Sequence, residues 1–226
     1  MSQPLTPPTV IADKAALARL GATVRARLDS DPAAYRIQTD DAEIYAVGDF
    51  LTPAECRLFI DMVDVVAKPS QVLDHGYAGI FRTSWSGDVN PHDPFVKMIE
   101  RRIDDLLGIE GGCGETVQGQ RYHPTQEFKE HCDWFHTGAG YWPQERRRGG
   151  QRSWTAMIYL NDVEEGGETH FVRLGISIPP QQGALLTWNN ANRDGSPNDR
   201  TMHAALPVVR GTKYVITKWY RTRRWV

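Results

Sequence analysis

The chain has 226 residues, enough for one domain that buries about 70% of the surface exposed by its unfolded form. Hydrophobic residues make up 40%, and 26 basic against 28 acidic side chains leave a net charge of −2. That balance excludes a global pull toward nucleic acid, and no apolar run is long enough to span a bilayer. Residues Met1 to Pro8 lack a basic region followed by an apolar core, so no signal peptide is expected. Cys56, Cys113 and Cys132 are scattered and odd in number, which fits a reducing cytoplasm better than a disulfide framework.

Residues 1–12 are rich in proline and read as a loose arm. Asp13 is placed to cap a helix over about 14–28, where Leu17, Leu20, Val24 and Leu28 recur at helical spacing. Asp29-Ser30-Asp31-Pro32 stops it, and residues 43–47 read as a short strand. Thr52 at the N-cap, Pro53 at the first helical position and Glu55 three after the cap predict the next helix. Its apolar stripe is Leu58, Phe59, Met62, Val63 and Val66. A third helix over about 94–107 carries Val96, Ile99, Ile103 and Leu106 at helical spacing.

After Gly108 the pattern changes to short alternating segments punctuated by glycine and proline. Candidate strands cover 115–122, 126–133, 153–160, 169–172, 175–179, 184–188, 200–206 and 213–221. Such spacing predicts a sandwich or jelly roll rather than βαβ units. The connection over 136–151 holds Tyr141, Trp142 and Arg146-Arg147-Arg148 and reads as a lid beside a site. His75 and His92 read as surface or loop residues, and Trp134, Trp154 and Trp188 as core.

The chemistry concentrates in Gln126-Glu127-Phe128-Lys129-Glu130-His131-Cys132-Asp133-Trp134. In a strand, residues i and i+2 project from one face. His131 and Asp133 therefore converge on one point, while Cys132 points the other way. A cation there needs a further ligand. The chain offers His203, and any of His123, His136 and His170, also near in sequence, could take its place. Two histidines and one carboxylate on one face of a metal, with the remaining positions open, is the arrangement of non-haem Fe(II) oxygenases. Ten residues past His203 stands Lys213, brought back if a turn at 209–211 folds the next strand against the one bearing His203. A lysine in a barrel interior needs an anion, from a protein carboxylate or from a ligand. Tyr122 is placed to give that anion a second hydrogen bond.

Together these motifs resemble the Fe(II)/2-oxoglutarate-dependent dioxygenases, and most closely their prolyl 4-hydroxylase branch. The resemblance covers about residues 43–221. It rests on Arg82-Thr83-Ser84, Glu115 to Tyr122, Gln126 to Asp133, Gly149 to Arg152, Tyr159-Leu160, Val163 to Thr169, Pro179 to Leu185, His203, Gly211-Thr212-Lys213 and Trp219. It implies a mainly β (α+β) fold, a double-stranded β-helix of the cupin-like jelly-roll type flanked by helices. Residues 1–42 would be an arm and helix, and 43–226 the dioxygenase domain. It implies Fe(II) held by His131, Asp133 and His203. 2-Oxoglutarate would be held by Lys213, with Tyr122 and Thr169 hydrogen-bonding nearby. It also implies O2 as cosubstrate, ascorbate as reductant, and a proline-containing peptide or protein along Arg82, Ser84, Glu115, Arg152 and Trp219. Phe128 and Arg221 depart from the family's tyrosine and histidine, and Arg221 would favour an acidic residue near the target proline. Neither nucleic acid nor membrane is an expected partner.

Overall fold

The computed structural model describes residues 8–70 and 81–226; His75 lies outside them. Helix α1 (Pro8–Ser30) is followed by strands β1 (Ala34–Arg36) and β2 (Ile44–Val47). Then come helix α2 (Pro53–Val66), β3 (Lys68–Pro69), β4 (Trp85–Asp88) and helix α3 (Pro94–Leu107). Strands β5 (Gln118–Tyr122) and β6 (Phe128–His131) lead to helix α4 (Trp142–Arg148) and β7 (Arg152–Tyr159). The rest is strand: β8 (Glu165–Gly166), β9 (Thr169–Phe171), β10 (Ile176–Ile178) and β11 (Leu185–Asn189). Strands β12 (His203–Ala205), β13 (Val208–Arg210) and β14 (Lys213–Arg221) close the fold.

The strands form an eight-stranded sheet in the order β1-β2-β11-β7-β14-β5-β4-β3 and a four-stranded sheet in the order β10-β9-β12-β6, with β13 and β8 pairing apart. Side-chain alternation divides the core in two. From the large sheet Trp154, Ile158, Ile216 and Tyr220 point outward and pack on Val24 and Leu28 of α1, Phe59 and Val63 of α2, and Ile99 and Ile103 of α3. Their neighbours Met157, Tyr159 and Val215 point inward, with Tyr122, Leu186 and Trp188, against Phe171 of the small sheet. The result is the expected jelly roll with helices on its outer face. Gly119 lets α2 lie close on β5, because a Cβ there would come within 2.4 Å of Val63 Cγ2.

Both later helices follow their sequence signals. Thr52 and Glu55 exchange capping hydrogen bonds of 2.8 and 3.2 Å, and α3 starts on an Asp93 cap. Three expectations change. Helix α1 begins at Pro8, since proline suits a first helical turn. Asp13 therefore sits inside it and accepts a 2.9 Å bond from Arg223. The stretch 136–151 contains α4, opened by Pro143 in its first turn. Strands β1 and β4 were not expected, because Ala34-Tyr35-Arg36 and Trp85-Ser86-Gly87-Asp88 lack apolar alternation. Among the described residues no helix is long and apolar enough to cross a membrane.

Candidate metal centre and substrate cleft

Strands β6 and β12 pair with His131 opposite His203, so two imidazoles meet across the small sheet with ring centroids 4.3 Å apart. Strand β6 ends at His131, yet Asp133 still turns into the same space. Its carboxylate oxygens lie 3.8 Å from His131 Nε2 and 4.0 Å from His203 Nε2. Among the described residues these three form the group able to hold a metal ion, with ligand atoms within 4.8 Å of one another.

The local hydrogen bonds set the donor set. His131 Nδ1 lies 2.7 Å from the Lys129 carbonyl and His203 Nδ1 lies 3.0 Å from that of Thr201. A carbonyl only accepts, so each Nδ1 carries the proton and each Nε2 presents a lone pair inward. Burial and the neighbouring His203 pull the His131 pKa down to about 3. Burial pushes the Asp133 carboxyl up, but His203, His131, Arg152 and the Thr155 hydroxyl outweigh it and hold the group ionised. Thr155 Oγ1 donates to Asp133 at 2.6 Å and accepts from Asn190 Nδ2 at 2.9 Å. Two imidazoles offering lone pairs and one oriented carboxylate fit a divalent iron with open positions.

Behind the triad a cavity narrows between the sheets. Lys213, Tyr122 and Thr169 line it together with His131, Asp133 and His203. Lys213 reaches it from the large sheet, paired with Tyr122 on β5. It does not sit on a hairpin against β12, because β13 leaves the small sheet to pair with β8. Its side chain is 1% exposed, with Nζ 5.4 and 5.6 Å from the rings of Tyr122 and Tyr159. No carboxylate pairs with it among the described residues. Burial pulls its pKa down to about 7, against a weak opposing pull from Glu168. Hydroxyls stand close by: Tyr159 donates to Thr169 Oγ1 at 2.7 Å, and Tyr122 donates to Gln120 Oε1 at 2.7 Å. A buried ammonium among hydroxyls suits a carboxylate-bearing ligand such as 2-oxoglutarate.

In front of the triad opens a cleft of about 330 Å³, lined by Arg82, Glu115, Arg152 and Trp219 among others. Ser84 is buried behind it and accepts from Arg82 Nε at 2.8 Å, so it fixes the arginine rather than facing the cleft. Glu115 is also committed. It binds Arg152 through two bonds of 2.7 and 2.8 Å and Arg221 at 2.5 Å. Arg221, 2% exposed, donates in turn to Glu145 of α4 at 2.5 Å and to the Gly150 carbonyl at 2.7 Å. The expectation that Arg221 selects an acidic substrate residue is therefore wrong, since two carboxylates already neutralise it. This ion ladder also ties α4 to the site wall, so 136–151 is not a free lid. Arg221→Met should lower stability by about 3–5 kcal/mol, because it leaves the buried Glu145 with only Arg148 at 3.7 Å, while Glu115 keeps its two bonds from Arg152. Chemical denaturation checks this, and a change within about 1 kcal/mol would show the ladder to be solvated.

The other histidines do not join the triad. His170 Nδ1 sits 2.8 Å from Ser177 Oγ, His123 Nδ1 sits 3.4 Å from Thr212 Oγ1, and His92 is exposed. His136 packs at a tilt against Trp134 at the cleft, with centroids 4.4 Å apart. Trp134 and Cys132 are half-buried and line the cleft, so neither is a core residue, whereas Trp154 and Trp188 are. Asn190, Gln120 and Glu145 escaped the sequence reading. Each acts through a partner that only the fold brings near.

A jelly roll that joins two imidazoles and a carboxylate beside a buried lysine has the build of a non-haem iron oxygenase. Residues 117–221 match the model of the 2OG-Fe(II) oxygenase superfamily. The chain is 34% identical to prolyl 4-hydroxylase 1 of Arabidopsis thaliana, over 80% of this chain and 69% of that protein. It is 33% identical to prolyl 4-hydroxylase 5 of the same plant, over 76% of this chain and 65% of that protein. It thus spans about two thirds of the length of these relatives. Among solved structures it resembles the viral collagen prolyl hydroxylase of Paramecium Bursaria Chlorella virus-1 in its 2OG complex. That match has a TM-score of 0.63 and 27% identity, over 79% of this chain and 95% of that one. The chain belongs to the 2OG-Fe(II) oxygenase superfamily, in its prolyl 4-hydroxylase-like branch.

Proposed function

We propose that the protein hydroxylates a prolyl residue in a peptide or protein, with His131, Asp133 and His203 as the iron ligands. The observation that carries this is Lys213, buried without an anion in the cavity it shares with the triad. Fe(II) and 2-oxoglutarate, when bound, supply the oxidising chemistry with O2, yielding hydroxylated product, succinate and CO2. The chain's own residues do the positioning. Lys213 receives the distal carboxylate, Thr169 and Tyr122 lie beside it, and the Thr155–Asn190 relay fixes Asp133. Trp219 lines both the inner cavity and the outer cleft. It offers an apolar wall to a pyrrolidine ring, with Arg152 stacked on it at 4.1 Å. Ascorbate as reductant belongs to this reading, as does a reducing cytoplasmic setting, which the free Cys56, Cys113 and Cys132 support.

Mass spectrometry of prolyl peptides incubated with Fe(II), 2-oxoglutarate and ascorbate tests it. One added oxygen mapping to proline is expected. Trp219→Ala should reduce that product more than it reduces uncoupled succinate release. Oxidation confined to free amino acids or to other side chains would sink the prolyl reading and leave the oxygenase standing.

A further inference from the structure

The wall of the inner cavity holds polar groups that the triad and Lys213 do not account for. Alternation along β14 turns Lys213, Val215, Thr217 and Trp219 to one face, and on the paired strand β5 Gln120 and Tyr122 line the same cavity. Gln120, Tyr122 and Thr217 are all buried there. They form a short hydrogen-bonded chain. The Tyr122 hydroxyl lies 2.7 Å from Gln120 Oε1, and Gln120 Nε2 lies 3.1 Å from Thr217 Oγ1.

The two lengths give the chain its direction. An O–H···O bond is commonly about 2.7–2.8 Å long and an N–H···O bond about 2.9–3.0 Å. The shorter contact therefore suits the phenol with the Gln120 carbonyl, and the longer one the Gln120 amide with the Thr217 hydroxyl. Arg82 also bonds at the Tyr122 oxygen, and a guanidinium only donates. That oxygen already has its donor, and its own proton goes to Gln120. Tyr122 is thus turned away from the cavity. Thr217 is left in the opposite state. Its oxygen accepts from Gln120, while its proton meets no acceptor among the described residues. It stands between Lys213 and Trp219 on β14, in the wall shared with His131, Asp133 and His203.

We propose that Gln120 is a positioning residue for the cosubstrate. It draws the Tyr122 proton away from 2-oxoglutarate and holds Thr217 with its proton directed into the cavity. This rests on the cavity being that of 2-oxoglutarate. The second hydrogen bond expected from Tyr122 then comes from Thr217.

Titration calorimetry of the full chain with 2-oxoglutarate, run without oxygen and with Mn(II) in place of Fe(II), tests this. Thr217→Val should raise the dissociation constant about three- to tenfold, the range of one net hydrogen bond. Thr217→Ser, which keeps the hydroxyl, should restore most of the loss. Tyr122→Phe should raise the constant less than Thr217→Val does. In a Gln120→Leu background the phenol proton is released toward the cavity, so Tyr122→Phe should cost more there than in the unaltered protein. The difference between the two backgrounds measures the coupling of Gln120 to Tyr122. An effect of Tyr122→Phe as large as that of Thr217→Val, or of equal size in both backgrounds, overturns the inference. Should the Gln120→Leu protein fail to fold, the comparison of Thr217→Val with Tyr122→Phe still decides. If the unaltered protein with Mn(II) binds no 2-oxoglutarate, the cosubstrate assignment fails and this inference with it.

Discussion

Replacing Asp133 by Ala is expected to abolish iron retention and turnover while leaving the jelly roll folded. The carboxylate is the anionic member of a triad whose other members are imidazoles, with His131 held neutral by burial. Without it, two neutral nitrogens face a divalent cation in a site shielded from water, and Coulomb attraction there is strong. Removing a residue that merely orients a metal ligand typically costs about 10–100-fold in affinity or activity. Removing the charged ligand should exceed the upper end of that range. The fold should survive, because the side chain's main partner is the Thr155 hydroxyl, which keeps Asn190 as a donor. Metal analysis after desalting, succinate release and far-UV circular dichroism together decide the matter. An Asp133→Ala protein that binds iron with unaltered affinity would falsify the ligand assignment.

What could be read before the fold was known depended on the range of the physics involved. The α2 cap, the α3 stripe and most strands of the large sheet are local, since capping boxes and alternation act over a few residues. His131 and Asp133 were legible for the same reason. His203 and Lys213 became legible through a family resemblance, because the tertiary fold brings them to the triad. The route was still missed for Lys213, which arrives on the opposite sheet, paired with Tyr122. Arg221 shows the limit most clearly. Nothing in its sequence neighbourhood points to its partners, Glu115 and Glu145, which lie 106 and 76 residues away. Helix α4 was hidden by glycines on either side of seven helical residues and by Pro143 within them. Strand β1 has only three residues and β3 two, too few for periodicity to register.

Lys213→Ala is expected to raise the apparent constant for 2-oxoglutarate at least about tenfold, with iron binding little changed. A charge-assisted hydrogen bond in a buried site contributes about 1.5–3 kcal/mol, and 1.4 kcal/mol corresponds to tenfold. The same geometry sets a pH dependence. With no anion beside it, burial lowers the Lys213 pKa to about 7. The charged form is the one that receives a carboxylate, and the bound anion raises the pKa again. Binding therefore takes up a proton when the free enzyme has lost it. The affinity for 2-oxoglutarate should hold steady below pH 7 and weaken by up to about tenfold per unit above it. The sign for stability is opposite. A lysine with a lowered folded pKa costs stability while the unfolded chain can still be protonated, so the ligand-free protein gains stability from about pH 7 up to the ordinary lysine value. Titration calorimetry with 2-oxoglutarate at several pH values, run with an Fe(II) surrogate under anaerobic conditions, measures the affinity, and chemical denaturation of the ligand-free protein at the same pH values measures the stability. Lys213→Ala should flatten the pH profile as well as weaken binding. A variant that keeps both the constant and the slope would transfer the role to another cation, such as Arg152 on the cleft side of the triad.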